Sequence, residues 1–297
     1  MVLHMQKVIA IVGPTASGKT ALSIFLAKKL QGEIISADSR QVYKGLNIGT
    51  GKVTKLEMAS IPHHALDVVS PKKQFDASDF VQKGEQAITM IYHSEHTPIV
   101  VGGTGFYIDT LLGRMTLPEV APDEKLRTQL EKRNVTQLFL MLQKLDPRRA
   151  KTIEPQHKRR LIRAIEIAKA LGQSPLPQSQ KKYEVLWLGM SLAPAQLQKN
   201  IHTRLHARLR QGMIAEAKRL HQGGLTYKRM EALGLEYRYL ALLLQKKITR
   251  AQFEKELESA INKYAKRQIR WFKRNPEIKW VKNKTDALRL AKEFLPR

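Results

Sequence analysis

An α/β fold is what this sequence predicts: a parallel sheet with flanking helices, interrupted by an all-helical insertion. Three observations predict it. Ile9–Thr20, IAIVGPTASGKT, carries G-x-x-x-x-G-K-[ST] with Gly13, Gly18, Lys19 and Thr20 in the fixed places. Short apolar runs that end in Gly, Asp or Ser alternate with stretches of helical periodicity, the texture of strand–helix units. Strand signal then lapses from Pro122 to Gln180 and returns at Glu184. The expected division is therefore a first core segment at 1–114, a helical insertion at 115–182, and a return to the core at 183–297.

Taken in order, Val8–Val12 is an apolar run that reads as a buried strand. Ala21–Leu30 follows with Leu22, Phe25, Leu26 and Leu30 at helical spacing. Strand, glycine loop and helix are the context the motif requires, so the loop is a P-loop and the sheet is of the P-loop NTPase-like kind. The backbone N–H groups of the loop and the helix N-terminus favour an anion at one place. Gly13, Thr15, Ala16, Ser17, Gly18, Lys19 and Thr20 are accordingly the candidate phosphate-binding residues. Lys19 adds a point charge, and the Thr20 hydroxyl is placed to hold Mg²⁺.

Glu33–Ser39 is a short apolar strand that ends at Asp38. Ligands sit beyond the carboxyl ends of such strands, so Asp38 is expected to face the bound phosphates. Three roles stay open for it here: an outer-sphere Mg²⁺ partner, a general base, or a structural N-cap. Arg40–Lys52 is a glycine-bearing loop beside the site. Ile61–Val69 reads as a strand with a histidine pair near its start. His63, His64 and Asp67 are read as hydrogen-bonding or structural residues, because two adjacent histidines do not easily share one small ion with this Asp. Phe75–His93 reads as a helix with Phe80, Ala87, Ile88 and Ile91 inward. Pro98–Val101 is the next strand, and it ends in Gly102-Gly103-Thr104-Gly105 rather than in the carboxylate that nucleotide-hydrolysing P-loop proteins carry there. Thr104 brings a hydroxyl to the same edge, and Phe106–Leu112 is a short helix.

In the insertion, Leu126, Leu130, Val135, Leu138, Leu142 and Leu145 form apolar stripes, and Asp146-Pro147 opens a helix. His157–Leu171 buries Leu161, Ile165 and Ala168 and is expected to present Arg159, Arg160 and Arg163 on a separate basic face. Glu184–Leu192 is a strand rejoining the sheet. Basic helices are predicted at His202–Leu220 and Thr249–Phe272 with another helix at Leu235–Leu244 between them, then a last strand at Ile278–Val281 and a closing helix at Thr285–Leu295. On the longest helix Lys263, Lys266, Arg267, Arg270, Lys273 and Arg274 share a face. Tyr264, Gln268 and Trp271 run along a neighbouring stripe, a pairing of charge and rings that suits RNA.

Composition agrees with a polyanionic partner. Lys and Arg number 52 against 26 Asp and Glu, a net charge of +26 and a pI near 10.2, which points to nucleic acid. The absence of Cys removes disulfides, thiolate catalysis and Cys-based zinc. No apolar run approaches membrane-spanning length and no leader is recognisable, so a cytoplasmic protein with no membrane association is expected.

The assembled motifs resemble the tRNA dimethylallyltransferases, also called isopentenyl-tRNA transferases. The resemblance covers nearly the whole chain. It rests on GPTASGKT at 13–20, SADSRQVYKGLNIGTGK at 36–52, PHHALD at 62–67, VGGTGFYI at 101–108, DPRRAKTIEPQHKRRLIRAIEI at 146–167 and YAKRQIRWFKR at 264–274. It implies transfer of a five-carbon prenyl group from dimethylallyl diphosphate to the exocyclic N6 of the adenine 3′ to the anticodon, with Mg²⁺. It also implies roles. Asp38 matches the general base, Thr104 the residue that orients the amine, and Arg204 an arginine that reaches the diphosphate beside Lys19. Asp38, Ser39, Arg40, Gln41 and Thr104 would touch the tRNA, and Arg159, Arg160 and Arg163 would grip the anticodon stem-loop of a tRNA bound by a monomer. Glu231–Tyr237 departs from the family pattern and is assigned no RNA contact. The chain has no counterpart of the zinc-finger extension of eukaryotic members, which favours a bacterial-type enzyme. The alternatives are a P-loop kinase acting on a small molecule, which leaves the charge of +26 unexplained, and a non-catalytic RNA-binding ATPase, which the missing carboxylate after Val101 weakens.

Overall fold

The computed structural model describes residues 5–176 and 179–295; 177–178, inside the predicted insertion, lie outside that description. Six parallel strands form one sheet: β1 (Lys7–Val12), β2 (Gly32–Ala37), β3 (His63–His64), β4 (Thr97–Gly102), β5 (Glu184–Met190) and β6 (Lys279–Val281), in the order β3-β2-β4-β1-β5-β6. From Val8 to Val12, β1 is apolar and buried because both its faces are covered, as in other parallel sheets. Val8, Ala10 and Val12 pack with Phe80, Ile88 and Ile91 of the helix Ala77–His93 and with Ile108 and Leu111 of the helix Gly105–Leu111. Ile9 and Ile11 face the other way, onto Leu22 and Leu26 of the helix Lys19–Lys29 and Ala287 and Ala291 of the helix Lys284–Phe294.

A second core carries the C-terminal helices to the sheet's carboxyl edge. Helices Pro194–Arg210, Met213–Gln222, Tyr227–Ala232, Leu235–Leu244 and Arg250–Phe272 enclose Leu205, Met213, Met230, Tyr237, Phe253 and Leu257. Val42, Tyr43 and Leu46 from the glycine-bearing loop are buried in the same cluster. That loop is therefore anchored on the helices as well as on β2.

Two predicted elements differ. The strand expected over Ile61–Val69 is only His63–His64, paired with Ile34 and Ile35. Ala65 and Asp67 take φ of 62° and 53°, left-handed values that no strand continues through; Val69 then makes one isolated bridge to Tyr43. The helix expected over His202–Leu220 is two helices, separated at Gly212, whose φ of 97° ends the first.

The chain divides into two units, 1–113 with 181–297 and 114–180. The second is all helical: Glu124–Glu131, Val135–Leu145, Pro147–Ala150 and Lys158–Leu171 close around Leu130, Leu138, Leu142, Leu161 and Ile165. Three of its helices start where a side chain caps them. Asn134 and Gln137 form a capping box, and Asp146 accepts from Arg149 N at 2.9 Å ahead of Pro147.

Candidate active site

The site grows out of the turn after β1. Gly13 to Gly18 reverse the chain into the helix Lys19–Lys29, with Gly18 as N-cap at φ 92°. Ser17 Oγ is buried without a hydrogen-bond partner among the described residues, a donor suited to an anion's oxygen. Lys19 Nζ folds back on Pro14 O at 2.6 Å. Burial first, and Arg204 second, push its pKa down to about 7 against the opposite pull of Asp38. A half-buried ammonium with another cation beside it is a site whose charge is completed by an anion. Together with the Thr20 hydroxyl at the mouth, this donor set suits a diphosphate with Mg²⁺.

Beyond the carboxyl ends of β1, β2 and β4 lies a cavity of about 320 Å³. Thr15, Lys19, Thr20, Asp38, Ser39, Arg40, Gln41 and Arg204 all line it. Asp38 sits one residue past β2, and its Oδ1 accepts from Arg40 N at 2.8 Å and Gln41 N at 3.4 Å. No helix begins there, so Asp38 orders a turn and is not a helix N-cap. Oδ2 has no hydrogen bond among the described residues and is available to a substrate proton. Thr104 Oγ1 accepts from Ser39 N at 3.1 Å, which ties the β4 turn to the Asp38 turn. Arg204 Nη2 donates to Gly51 O at 3.2 Å. Gly51 has a φ of 60°, and a Cβ there would overlap the guanidinium, so glycine is what lets Arg204 reach the cavity.

Several side chains that line or brace the wall were not foreseen in those roles from sequence. Gln268 Oε1 accepts from Thr15 N at 2.8 Å while its Nε2 donates to Gly103 O at 2.9 Å. One buried amide thus joins the P-loop to the β4 turn. Glu216, also buried, accepts from Asn47 N, Ile48 N and Gly49 N at 2.8 to 3.0 Å and from Tyr237 Oη at 2.6 Å. Buried Arg208 donates to Gly49 O at 2.8 Å. Gly234, Leu235 and Glu236, from the stretch that departs from the family pattern, form part of the wall. Arg208 follows Arg204 by one helical turn, and that spacing is the one signal that marked it in the sequence. The cavity thus gathers Arg40, Arg204, Arg208, Arg238, Arg267 and Lys19 against Asp38 and Glu236, a strong bias toward an anionic ligand.

Two expectations are corrected and one holds. Tyr264, Gln268 and Trp271 are not an outward stacking stripe. Tyr264 and Gln268 face the cavity, and Trp271 packs on Gly105 and donates to Asp109 at 2.8 Å; Lys263, Lys266, Arg267, Arg270, Lys273 and Arg274 do share the exposed side. Arg163 does not join Arg159 and Arg160 on a free basic face. Its guanidinium pairs with buried Glu166, which also binds Arg127 at 2.9 and 3.0 Å, and reaches Val120 O. Arg159 is exposed, and Arg160 is an exposed partner of Glu154 at 3.1 Å. His63, His64 and Asp67 diverge, as preferred from sequence: His63 faces Ile61 O, His64 bonds Glu33 at 2.6 Å and Asp67 bonds Lys52 at 2.6 Å.

The profile of the IPP transferase family matches residues 41–275. The chain belongs to that family. Among its relatives, tRNA dimethylallyltransferase 1 of Geotalea uraniireducens is 40% identical over 292 residues, 97% of this chain and 96% of its own length. tRNA dimethylallyltransferase 2 of Citrifermentans bemidjiense is 39% identical, with 99% of this chain and 96% of the relative covered. The crystal structure of the full-length tRNA isopentenylpyrophosphate transferase from Bacillus halodurans superposes with a TM-score of 0.74 at 34% identity, covering 97% and 95% of the two chains. A eukaryotic dimethylallyltransferase captured acting on tRNA gives a TM-score of 0.79 at 29% identity, over 90% of this chain and 70% of its own. No described helix is long and apolar enough to cross a membrane.

Within this IPP transferase chain, Gln268 is the positioning residue whose loss is most readable. Gln268→Ala strips partners from Thr15 N and Gly103 O, and each orphaned buried group costs about 1–3 kcal/mol. Misplacing the P-loop by an ångström is expected to lower kcat/KM for the phosphate-bearing donor roughly 10²-fold. Gln268→Glu keeps the acceptor for Thr15 N and loses the donor to Gly103 O, so it should fall between. Steady-state kinetics beside thermal melts check this; a melt that drops while kcat/KM stays at wild type would leave Gln268 a packing residue only.

Proposed function

We propose that this chain transfers the dimethylallyl group of dimethylallyl diphosphate to the exocyclic N6 of the adenine 3′ to the anticodon of a tRNA, releasing diphosphate. The observation that carries this reading is one cavity in which a P-loop, with Lys19 and Arg204, faces Asp38, with Thr104 hydrogen-bonded to Ser39 beside it. A diphosphate seated on the backbone N–H groups of Ala16 to Thr20 has its growing charge stabilised by Lys19 and Arg204 as it leaves. The Thr20 hydroxyl would hold Mg²⁺, which would supply further neutralisation of that charge when bound. The adenine must leave its stack to enter, and Ser39, Arg40 and Gln41 line its approach. Thr104 holds the amine in place. As N6 attacks the prenyl carbon, its proton passes to Asp38 Oδ2. The kinase alternative is not favoured: every relative named above carries tRNA prenyl or isopentenyl transfer in its name. A monomer acting in the cytoplasm is part of this reading.

Incubation with tRNA and labelled dimethylallyl diphosphate, beside labelled ATP, tests the proposal. Label should pass from the prenyl donor to tRNA, and ATP should remain intact. ATP turnover that depends on tRNA would replace it with an ATPase.

The helical unit makes a paired prediction. Arg160 is exposed, and neutralising one phosphate contact changes the slope of log K against log salt by roughly 0.7 to 0.9. Arg160→Ala should therefore weaken tRNA binding across sequences and make the slope shallower by about one. Arg163→Ala should instead leave buried Glu166 short of a partner and lower the melting temperature with the slope unchanged. Filter binding across a salt series, with melts alongside, separates them; equal slopes for wild type and Arg160→Ala would take Arg160 out of the RNA contact.

A further inference from the structure

On the outer side of the C-terminal helices, away from the cavity wall, three metal-ligating side chains converge. His202 and His206 stand one turn apart on the helix Pro194–Arg210, so both imidazoles leave the same face. Their ring centroids lie 4.3 Å apart, tilted by 53°. Glu258 reaches across from the helix Arg250–Phe272, with Oε2 3.1 Å from Nδ1 of His202. One ligand atom from each of the three falls within 4.8 Å of the others. Glu254, one turn before Glu258, sets Oε2 4.0 Å from Nδ1 of His206 and is itself paired with Arg250.

The geometry points to a divalent transition-metal site of the zinc class, bound by His202, His206 and Glu258 with water completing the coordination. Zinc–nitrogen and zinc–oxygen bonds near 2 Å set tetrahedral ligands roughly 3.4 Å apart. The three side chains therefore need to close by about an ångström, and His202 is exposed with the other two half-buried, so side-chain rotation suffices. Two imidazoles with one carboxylate select Zn²⁺, Ni²⁺ or Cu²⁺ over Mg²⁺, which asks for oxygen ligands in octahedral geometry. Glu254, 4.0 Å from His206 Nδ1, is near enough to become the outer carboxylate of that imidazole once the ligands close on an ion. The two helices so joined are those that carry Arg204 and Gln268 to the cavity. The ion acts as a clamp between them and takes no part in the chemistry.

The test is Zn²⁺ titration of the chelator-stripped full chain by calorimetry and by thermal melting, with excess Mg²⁺ to fill the P-loop site. One Zn²⁺ per chain should bind, and Tm should rise by on the order of 5 °C with free Zn²⁺ at about 100 times its Kd. His206→Gln should weaken binding by more than about 100-fold and Glu254→Gln by about 10-fold. Co²⁺ should give tetrahedral absorption bands in the wild type and none in His206→Gln. Should His206→Gln fail to fold, Glu258→Gln carries the same expectation. If Zn²⁺ leaves the wild-type melt unmoved, or binds the His202→Gln/His206→Gln variant as tightly as wild type, the proposal is overturned and the residues are ordinary His–Glu pairs.

Discussion

Asp38→Asn is expected to fold normally, bind tRNA within a few-fold of wild type, and lose about 10² to 10⁴ in kcat. The structural part of Asp38 is confined to Oδ1, which accepts from Arg40 N and Gln41 N. An asparagine amide oxygen keeps both bonds, so the turn survives. What is lost is a basic oxygen on the cavity side. The competing role, partner to Mg²⁺, predicts a different pattern: weaker donor binding and partial recovery of rate in excess Mg²⁺. Single-turnover prenylation across a Mg²⁺ series, with tRNA affinity measured in parallel, separates the two. Near-wild-type single-turnover rates would remove Asp38 from the reaction.

Lys19→Ala is expected to lower kcat/KM for the prenyl donor by roughly 10² to 10³, the scale on which a single charge-stabilising donor acts. The pH dependence supplies an independent reading. Burial and Arg204 hold the free-enzyme pKa of Lys19 near 7, and the protonated form is the one that meets the diphosphate. As pH rises through about 7, the cation is lost from the free enzyme, so wild-type kcat/KM should fall on that side. Donor binding above pH 7 should also take up a proton, visible as a buffer-dependent binding enthalpy. Lys19→Arg, which stays charged, should move the alkaline fall to higher pH. A wild-type profile that stays flat from pH 6 to 9 would mean that Lys19 is charged throughout and that its burial has no kinetic consequence.

Much of this was legible along the chain. The apolar run of β1 implied a strand covered on both sides, and it is buried by helices from two layers. The glycine loop, Asp38, Thr104 and Arg204 are each marked by motif in the sequence, and all lie at one edge of the sheet. Helix faces were legible too, but what they face was not. Periodicity placed Gln268 and Trp271 on a stripe beside the basic residues without saying whether that stripe looked out at RNA or in at the P-loop. Arg163 had the spacing of a surface cation and is half-buried against Glu166, three residues on.

The amino-acid sequence by itself determined the parallel sheet, the anion-binding turn, the basic surplus and the family, because each rests on local spacing, composition or an unbroken run of motif. Only the tertiary structure decided what joins the parts. Gln268 meets Thr15 across 253 residues and Glu216 holds Gly49 across 167. Both contacts depend on how the C-terminal helices pack around Tyr237 and Phe253 against the loop after β2. Their partners are fixed by the packing of distant elements, a long-range property that a period of 3.6 does not contain.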